Sequence, residues 1–309
     1  MIQTPPPNRF QLQQKRNTLR QRQQIFRAIH AYFQSCGFLE ATTPIRIAAP
    51  APELNIDTES SGDHFLIASP ELQMKQLVAA GYEKIYQITK CFRQNERGQR
   101  HLPEFTMLEW YETHATMTEL EQRCMDILTE SAKAIATYPT VTFGEYQISL
   151  KDDCYRLEVQ DAFEKFAGWR PGATPPPQKF DVDLVEKVEP ALPQDKPLFL
   201  KGYPASMASL AKIDPRVPER ALRLELYVGG LELANGFEEL TDSDLQRQRF
   251  EQEEQERRAL GKPPYPLDNE FLAALAEGMP DCAGMAMGLD RLVMILTNSE
   301  NIANVVAFP

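Results

Sequence analysis

The sequence is poor in the residues that build metal and disulfide sites. Its five cysteines are scattered and never spaced as CxxC, and its four histidines show no ligand spacing. This usage argues against a zinc site or a disulfide framework and is typical of reduced cytoplasmic thiols. No signal peptide and no apolar run of membrane-spanning length is present, so we predict a cytoplasmic protein with no membrane partner.

Positive charge is also in deficit. The formal net charge is −11 at pH 7 and the sequence pI is about 5.0, whereas a chain that grips nucleic acid unaided usually presents a basic surface. We therefore expect no autonomous binding of tRNA or DNA. The sequence has neither a Walker phosphate loop nor a GxGxxG turn, so any nucleotide site would be built in another way.

What the sequence does contain is enough helices and strands for one large domain of 309 residues. Strand-rich segments separated by helices, without a βαβ rhythm, predict an α+β fold with a mainly antiparallel sheet. An apolar stripe predicts a helix over residues 16–35, and Thr118 followed by Glu121 predicts a capped helix start. Residues 1–15 are expected to form a loose arm, and residues 165–195 a surface excursion rather than a second domain.

The stretch from Ile85 to Thr113 predicts a β-hairpin around an arginine-rich loop. Period 2 places Thr106, Leu108 and Trp110 on a face typical of a core. The opposite face combines an aromatic ring with a carboxylate and a phenol, which suits a ligand. Its members are Phe105, Met107, Glu109 and Tyr111. Pattern alone fits a solvated surface hairpin equally well.

A second predicted hairpin carries paired carboxylates. A two-residue turn at Gly229-Gly230 would pair Tyr227 with Glu232 and put Glu225 on the same face as Glu232. Two neighbouring carboxylates repel unless a cation joins them, and Mg²⁺ prefers oxygen ligands and often accompanies nucleotide phosphates. The alternative is an exposed edge strand with two solvated glutamates.

The same hairpin continues into three further candidates, Asn235, Phe237 and Glu239. Period 2 places these three on one face, but strict alternation puts that face opposite Glu232. A β-bulge near residues 234–236 would bring both sets to one site.

The stretch AGMAMGLDRLVMIL predicts a strand that runs into a helix. Gly284, Ala286 and Gly288 share one face, where a ligand could approach the backbone closely, and the methionines of the other face suit a core. Arg291 falls in the first turn of the helix, and a helix N-terminus with an arginine suits phosphate. A structural ion pair of Arg291 is the alternative.

Three blocks, taken in order, resemble the signature motifs of class II aminoacyl-tRNA synthetases. GFLEATTP, which ends in Pro44, resembles motif 1; FRQNE to RHLPEFTMLEWY resembles motif 2; GMAMGLDRLVMIL resembles motif 3. The strings SPELQMK, ELANGFEEL and TNS…VVAFP are most similar to lysyl-tRNA synthetases. The resemblance covers nearly the whole chain and is weakest around residues 150–195.

Some differences from the lysyl-tRNA synthetases restrict the resemblance to a smaller group. Lysyl-tRNA synthetases carry an OB-fold before the catalytic domain, whereas motif 1 begins here almost at once and leaves no room for one. Ala286 stands where they have glycine and Ser69 where they have alanine. The pattern resembles the elongation factor P–lysine lysyltransferases, truncated lysyl-tRNA synthetase paralogues. It implies a ligase that forms a homodimer through motif 1, activates lysine, preferably (R)-β-lysine, with ATP and attaches it to the ε-amino group of a lysine on elongation factor P.

The resemblance also implies a role for individual residues at an ATP site. Arg93 and Arg291 would be the catalytic pair, holding the α- and γ-phosphates, and Phe105 would stack on adenine. Glu225 and Glu232 would hold Mg²⁺ and ATP. The remaining residues implied to contact ATP are Gln94, Asn95, Glu96, His101, Leu102, Leu233 and Gly288.

A lysine pocket is implied beside the ATP site. Glu239 would bind the side-chain amine, and Ala286 would fill the space that a glycine leaves open. The other residues implied to line the pocket are Ser69, Pro70, Glu71, Glu109, Tyr111, Asn235 and Phe237.

Two positions within motif 2 depart from the family pattern. Asn95 stands where the family has glutamate, which arrives one residue later as Glu96, and Leu102 stands where it has asparagine. Rival functions are lysine transfer to tRNA or another acceptor, a regulatory paralogue without catalysis, and a plain structural role. A regulatory paralogue would be expected to lose Arg93 or Arg291, and both are present; the acidic charge argues against tRNA.

Overall fold

The computed structural model describes residues 8–309, in which helices surround one eight-stranded sheet. The helices are α1 (Arg9–Gln14), α2 (Arg16–Ser35), α3 (Glu71–Ala79), α4 (Met117–Ala134), α5 (Val159–Phe166), α6 (Pro177–Asp183), α7 (Ser243–Ala259), α8 (Asn269–Gly278) and α9 (Leu289–Leu296). The strands are β1 (Leu39–Glu40), β2 (Arg46–Ile47), β3 (Ser60–Ser61), β4 (His64–Leu66), β5 (Lys84–Phe92), β6 (Glu104–Thr113), β7 (Thr140–Phe143), β8 (Tyr146–Ser149), β9 (Tyr155–Glu158), β10 (Leu198–Lys201), β11 (Arg223–Val228), β12 (Leu231–Glu238) and β13 (Cys282–Gly288). Short helical turns lie at Leu184–Val188, Glu189–Ala191, Ala205–Met207 and Ile302–Asn304.

The large sheet has the strand order β1–β5–β6–β13–β12–β11–β10–β9. Neighbouring strands are antiparallel from β5 to β10, and the outermost pairs, β1 with β5 and β9 with β10, are parallel. Two small sheets, β2–β4–β3 and β7–β8, lie beside it. The prediction of an α+β fold with a mainly antiparallel sheet flanked by helices is therefore confirmed.

One face of the large sheet packs against α2, α4 and α9 and forms the main hydrophobic core. β6 contributes Leu108 and Trp110 to this core, and β13 contributes Met285 and Met287, as the period of 2 predicts. Tyr86 of β5 joins them and stacks on an aromatic ring of α2. Because these side chains fill one face of the sheet, a ligand site has to lie on the other.

Helix α2 forms over the predicted range because its apolar residues recur every four positions. Ile25, Ile29 and Phe33 are all buried, and Gly37, with a left-handed φ of +78°, follows the end of the helix. In residues 8–309, no helix has both the length and the apolar character needed to cross a membrane.

Within the predicted arm of residues 1–15, Arg9–Gln14 form the helix α1, which has no buried residue. Asn8 caps α1: its Oδ1 accepts a hydrogen bond from the Gln11 amide, and its own amide donates to Oε1 of Gln11. Residues 1–7 lie outside the described residues. Helix α4 begins two residues earlier than predicted, because Thr116 rather than Thr118 caps it.

The stretch 165–195, predicted as a surface excursion, is mostly exposed and is anchored by a few buried side chains. Phe180 of α6, Val188 and Leu192 are buried in a cluster that also contains Tyr227 of β11. Phe180 stacks on Phe163 of α5 with 4.5 Å between ring centroids. This stretch is therefore part of the structure that supports β10 and β11.

Candidate active site

Most of the predicted site residues collect on the side of the large sheet that faces away from the main core. On β6, Leu108 and Trp110 enter that core, whereas Tyr111 packs with α3 and α8 on the other side. The predicted hairpin of β5 and β6 is present, with Ile85 opposite Tyr111. Since β13 continues the sheet beyond β6, this hairpin is internal and the surface-hairpin alternative is wrong.

A β-bulge on β12 decides which carboxylates share this side. Tyr227 of β11 pairs with Glu232 as predicted, but Glu225 pairs with Asn235, so β12 has one residue more than β11 over this interval. The extra residue is Leu233, and it reverses the alternation beyond it. Asn235 therefore lies on the same face as Glu232. The predicted bulge exists, one position before the segment where the sequence placed it.

A fully buried ion-pair cluster forms the deepest part of this face. Nζ of Lys75, whose side chain has 0% exposure, lies 2.6 Å from Oε1 of Glu71 and 2.5 Å from Oε2 of Glu239. Burial acts to lower the pKa of Lys75, but Glu239 and Glu71 outweigh burial and raise it, so the ammonium stays charged. The contact with Glu71 follows from helical i, i+4 spacing, and the contact with Glu239 ties α3 to the residue after β12.

Glu109 lies buried beside this cluster, and no described residue forms a salt bridge with it. Its carboxylate accepts hydrogen bonds from Oγ of Ser69 at 2.7 Å and from the hydroxyl of Tyr111. Burial, followed by the charge of Glu71, raises the pKa of Glu109 to about 8. Burial likewise raises the pKa of Glu239. Glu71 and Glu239 thus share the Lys75 ammonium, whereas Glu109 has no charged partner among the described residues, which leaves a pocket suited to further positive charge.

The floor of this pocket is the small-residue face of β13. A methyl group added at Gly284 would lie 2.5 Å from Oε1 of Glu239 and would overlap the ring of Tyr111, so glycine keeps the space open. Ala286 pairs with Glu109 on one side and with Asn235 on the other. Oδ1 of Asn235 is buried without a hydrogen-bond partner among residues 8–309, an unfavourable state that a bound polar group would relieve.

Arg291 occupies the other end of the face, in the first turn of α9 as predicted. Its Nη1 donates to the backbone oxygen of Glu232 at 2.7 Å and lies 3.4 Å from Oε2 of that residue. Its Nη2 donates to Nε2 of His101 at 2.5 Å. Burial and then the charge of Arg291 lower the pKa of His101, so the neutral imidazole can accept this bond. The ion pair that the sequence allowed as an alternative is present, but it holds Arg291 at the site.

Arg93 faces the ring of Phe105, with the guanidinium carbon 5.2 Å from the ring centroid. Its one salt bridge among the described residues is a long one, 3.8 Å to Glu96. Nε of Arg93 is buried and has no hydrogen-bond partner in this part of the chain. An arginine with a weak ion pair and an unsatisfied buried donor is well suited to an anionic ligand.

The two departures within motif 2 have separate structural roles. Asn95 has a φ of +65°, a left-handed conformation that asparagine adopts more readily than most residues. Leu102 is buried in the main core, so its side chain packs away from Arg93. Any contact of Leu102 with a nucleotide would therefore come from its backbone.

The remaining predicted residues, apart from Leu233, lie beside the acidic pocket or beside Arg93 and Arg291. Ser69 and Pro70 precede α3, and Oγ of Ser69 accepts a hydrogen bond from the Glu71 amide at 3.0 Å. The backbone N–H of Gln94 donates to the oxygen of Asp57 at 2.7 Å. Gly288 caps α9, and the ring of Phe237 lies 5.9 Å from the guanidinium carbon of Arg223. The side chain of Leu233 is buried in the main core.

The paired carboxylates lie between the two ends. Glu225 accepts hydrogen bonds from Nη2 of Arg223 at 2.7 Å and from the Tyr227 hydroxyl at 2.8 Å. Loss of bulk water and the charge of Glu225 raise the pKa of Glu232 despite the nearby Arg291. Two repelling carboxylates are a donor set that fits Mg²⁺. No group of three or more metal-ligating side chains occurs in residues 8–309.

Three charged residues of this face were not predicted. Lys75 could have been found from its i, i+4 spacing to Glu71, and Arg223 from its period-2 spacing to Glu225. Glu53 lies in the loop before β3, where no periodicity marks it. Burial and then the charge of Glu71 raise the pKa of its carboxyl.

Known proteins resemble the chain over almost all of its length. The family model for tRNA synthetases class II (D, K and N) matches residues 9–309. Three proteins named elongation factor P–(R)-β-lysine ligase are similar throughout: those of Hamiltonella defensa (38% identical, 95% of each chain), Pectobacterium carotovorum (38%, 94% of each) and Salmonella gallinarum (37%, 94% of each). With residues of motifs 2 and 3 brought together on one side of a mainly antiparallel sheet, the chain belongs to the class II tRNA synthetase family, in the group that contains these ligases.

Proposed function

We propose that the chain is an ATP-dependent ligase that activates lysine, preferably (R)-β-lysine, and transfers it to the ε-amino group of a lysine of elongation factor P. The observation that carries this proposal is the acidic pocket of Glu71, Glu109 and Glu239, which lies on the same sheet face as Arg93 and Arg291. The names of the three relatives, which align over at least 94% of each chain, support the same activity.

Charge explains why a diamino acid suits this pocket. Lys75 pairs with Glu71 and Glu239, while Glu109 has no charged partner among the described residues, and a buried charge is stable only when it is paired. Lysine and β-lysine each bring two ammonium groups. Glu239 would bind the side-chain ammonium, and Glu109 and the orphaned Oδ1 of Asn235 would face the rest of the substrate.

The triphosphate would lie along the basic end of the face. Arg93 would hold the α-phosphate through its free Nε, Arg291 the γ-phosphate, and Phe105 would stack on adenine. Glu225 and Glu232 would hold Mg²⁺, which neutralises phosphate charge when it is bound.

The reaction then needs positioning and charge neutralisation more than covalent work by the protein. A carboxylate oxygen of lysine attacks the α-phosphorus, the bond to the bridging oxygen breaks, and pyrophosphate leaves. The neutral acceptor amine next attacks the carbonyl carbon of the adenylate, AMP leaves, and the amine gives up a proton. Because the amine must be neutral, an unprotonated acceptor lysine is the reactive species.

The setting of the enzyme is part of the proposal. We expect a cytoplasmic homodimer in contact with elongation factor P and without autonomous tRNA binding. The net charge of −11 supports the last expectation, since tRNA binding usually requires a basic surface.

Two assays test the proposal. Purified protein should catalyse ATP–pyrophosphate exchange that depends on lysine or β-lysine, and Arg93→Ala should abolish the exchange. Mass spectrometry of elongation factor P after incubation with enzyme, ATP and β-lysine should show one added lysyl group. No exchange with either amino acid would contradict the enzymatic activity and favour a regulatory paralogue. An unmodified factor beside charged tRNA would favour the tRNA acceptor instead.

A further inference from the structure

One buried side chain of α7 donates several hydrogen bonds to the loop of residues 53–58. Arg257 has 0% exposure, and its Nη1 donates to the backbone oxygens of Glu53 at 2.8 Å and Ile56 at 3.1 Å. Its Nη2 donates to Oδ1 of Asp57 at 2.9 Å. A single planar guanidinium thus satisfies three acceptors of the same loop, and the ammonium of Lys262 adds hydrogen bonds to the backbone oxygen of Leu54 and to the carboxylate of Asp57.

The other end of this loop is bonded to the predicted ATP-binding hairpin. The backbone oxygen of Asp57 accepts a hydrogen bond from the N–H of Gln94 at 2.7 Å, and Gln94 directly follows Arg93. The Arg93 amide in turn donates to the oxygen of Pro103 at 2.9 Å. A continuous path of hydrogen bonds therefore runs from α7 through the loop to the residue beside Arg93.

The surroundings of Arg257 show that the contact is specific. Its guanidinium carbon lies 4.1 Å from the ring centroid of Tyr265, and Nζ of Lys262 lies 3.1 Å from the second carboxylate oxygen of Asp57. Burying a guanidinium costs free energy that apolar packing would avoid. A buried arginine at this point of the helix is therefore explained by the loop that it holds.

We propose that Arg257 is a positioning residue for ATP, which acts by holding the 53–58 loop against Gln94 and so fixes Arg93 where it meets the α-phosphate. This inference rests on the proposed function, in which Arg93 binds ATP. The lysine pocket is built by α3, β6 and the end of β12, and Arg257 donates to none of them.

The test compares ATP and lysine binding in variants of α7. In Arg257→Met, the dissociation constant for ATP from calorimetry and the KM for ATP in pyrophosphate exchange should rise about 10- to 100-fold, because small displacements at a phosphate clamp are costly. The ATP constants of Arg257→Lys should fall between those of the wild type and Arg257→Met, because an ammonium cannot reproduce the planar set of donors of a guanidinium. The KM for lysine should change by less than about twofold. Arg258→Met is the matched control, because Arg258 is 65% exposed and pairs only with Glu254 among the described residues.

A milder variant guards against misfolding. Asp57→Asn keeps the size of the side chain and weakens its hydrogen bond with Arg257. The dissociation constant for ATP should therefore rise by about 3- to 10-fold, as expected for the loss of one charge-assisted hydrogen bond. Unchanged ATP binding in folded Arg257→Lys and Asp57→Asn would overturn the inference. Equal losses of affinity for ATP and for lysine would also overturn it, because they would show that Arg257 supports the fold in general. Wild-type protein that binds ATP without exchange would contradict the proposed function, while the ATP constants would still decide the role of Arg257. Wild-type protein that does not bind ATP would overturn both.

Discussion

Glu109 is the residue whose environment has the clearest consequence for substrate binding. It is 2% exposed, its hydrogen bonds come from two neutral hydroxyls, and burial raises its pKa to about 8. In the empty pocket the carboxyl is therefore mostly protonated at neutral pH. An ammonium group of a bound diamino acid would favour the ionised form and lower the pKa of Glu109 in the complex.

Lysine binding should consequently tighten as the pH rises towards about 8. Below that value the ammonium must expel a proton from Glu109, and linkage allows up to about a tenfold gain in affinity per pH unit for each such group. Calorimetric titrations at about pH 6.5, 7.25 and 8 would measure the affinity, and buffers of different ionisation heats would count the protons released.

Glu109→Gln supplies the comparison for this prediction. Glutamine keeps the size of the side chain but cannot titrate, so the variant should bind lysine more weakly and release fewer protons. Affinity that does not change with pH in the wild type would contradict the prediction, as would an equal pH dependence in the variant.

At the scale of elements, strands were predicted well because their signal is local. The alternation along β6 and β13 placed Leu108 and Met287 in the core and Glu109 on the pocket side, and the structure agrees. The bulge at Leu233 has no local signal of its own, since it exists only relative to the register of β11. The ion pair of Lys75 with Glu239 likewise joins segments that are distant in sequence and meet only in the fold.

The start of α4 shows how a tertiary contact settles a local ambiguity. Two overlapping capping boxes are present, Thr116 with Glu119 and Thr118 with Glu121. Glu121 is buried and pairs with Arg156 at 2.6 Å, so its side chain is not available to cap the helix. Glu119 instead accepts a hydrogen bond from the Thr116 amide at 2.8 Å, and the helix begins there.

Replacing each of the two threonines by alanine should show which capping box starts the helix. Thr116→Ala removes the cap and should lower the free energy of unfolding by about 0.5–2 kcal/mol. Thr118→Ala, on the exposed first turn, should change it by less than about 0.5 kcal/mol. Urea denaturation followed by circular dichroism would measure both values, and equal losses would show that Thr116 is not the cap.

On the scale of the whole molecule, the exposed apolar residues near motif 1 have a consequence for assembly. The side chain of Leu39 is 52% exposed on β1, the outermost strand of the large sheet, and Ile45 is 45% exposed shortly after it. Apolar side chains beside an open sheet edge favour association with another chain. The predicted homodimer through motif 1 would cover them.

Sedimentation velocity should therefore give a particle of about twice the chain mass of 35.2 kDa. Ile45→Asp should shift the protein to the monomer, because a carboxylate on this surface would be buried without a partner in the dimer. Since Ile45 is exposed in the single chain, the variant should keep its circular dichroism spectrum. Leu260→Asp is the matched control, because Leu260 is 64% exposed at the end of α7 and should leave the dimer intact. A monomeric wild type, or an Ile45→Asp variant that sediments as a dimer, would contradict assembly through this surface.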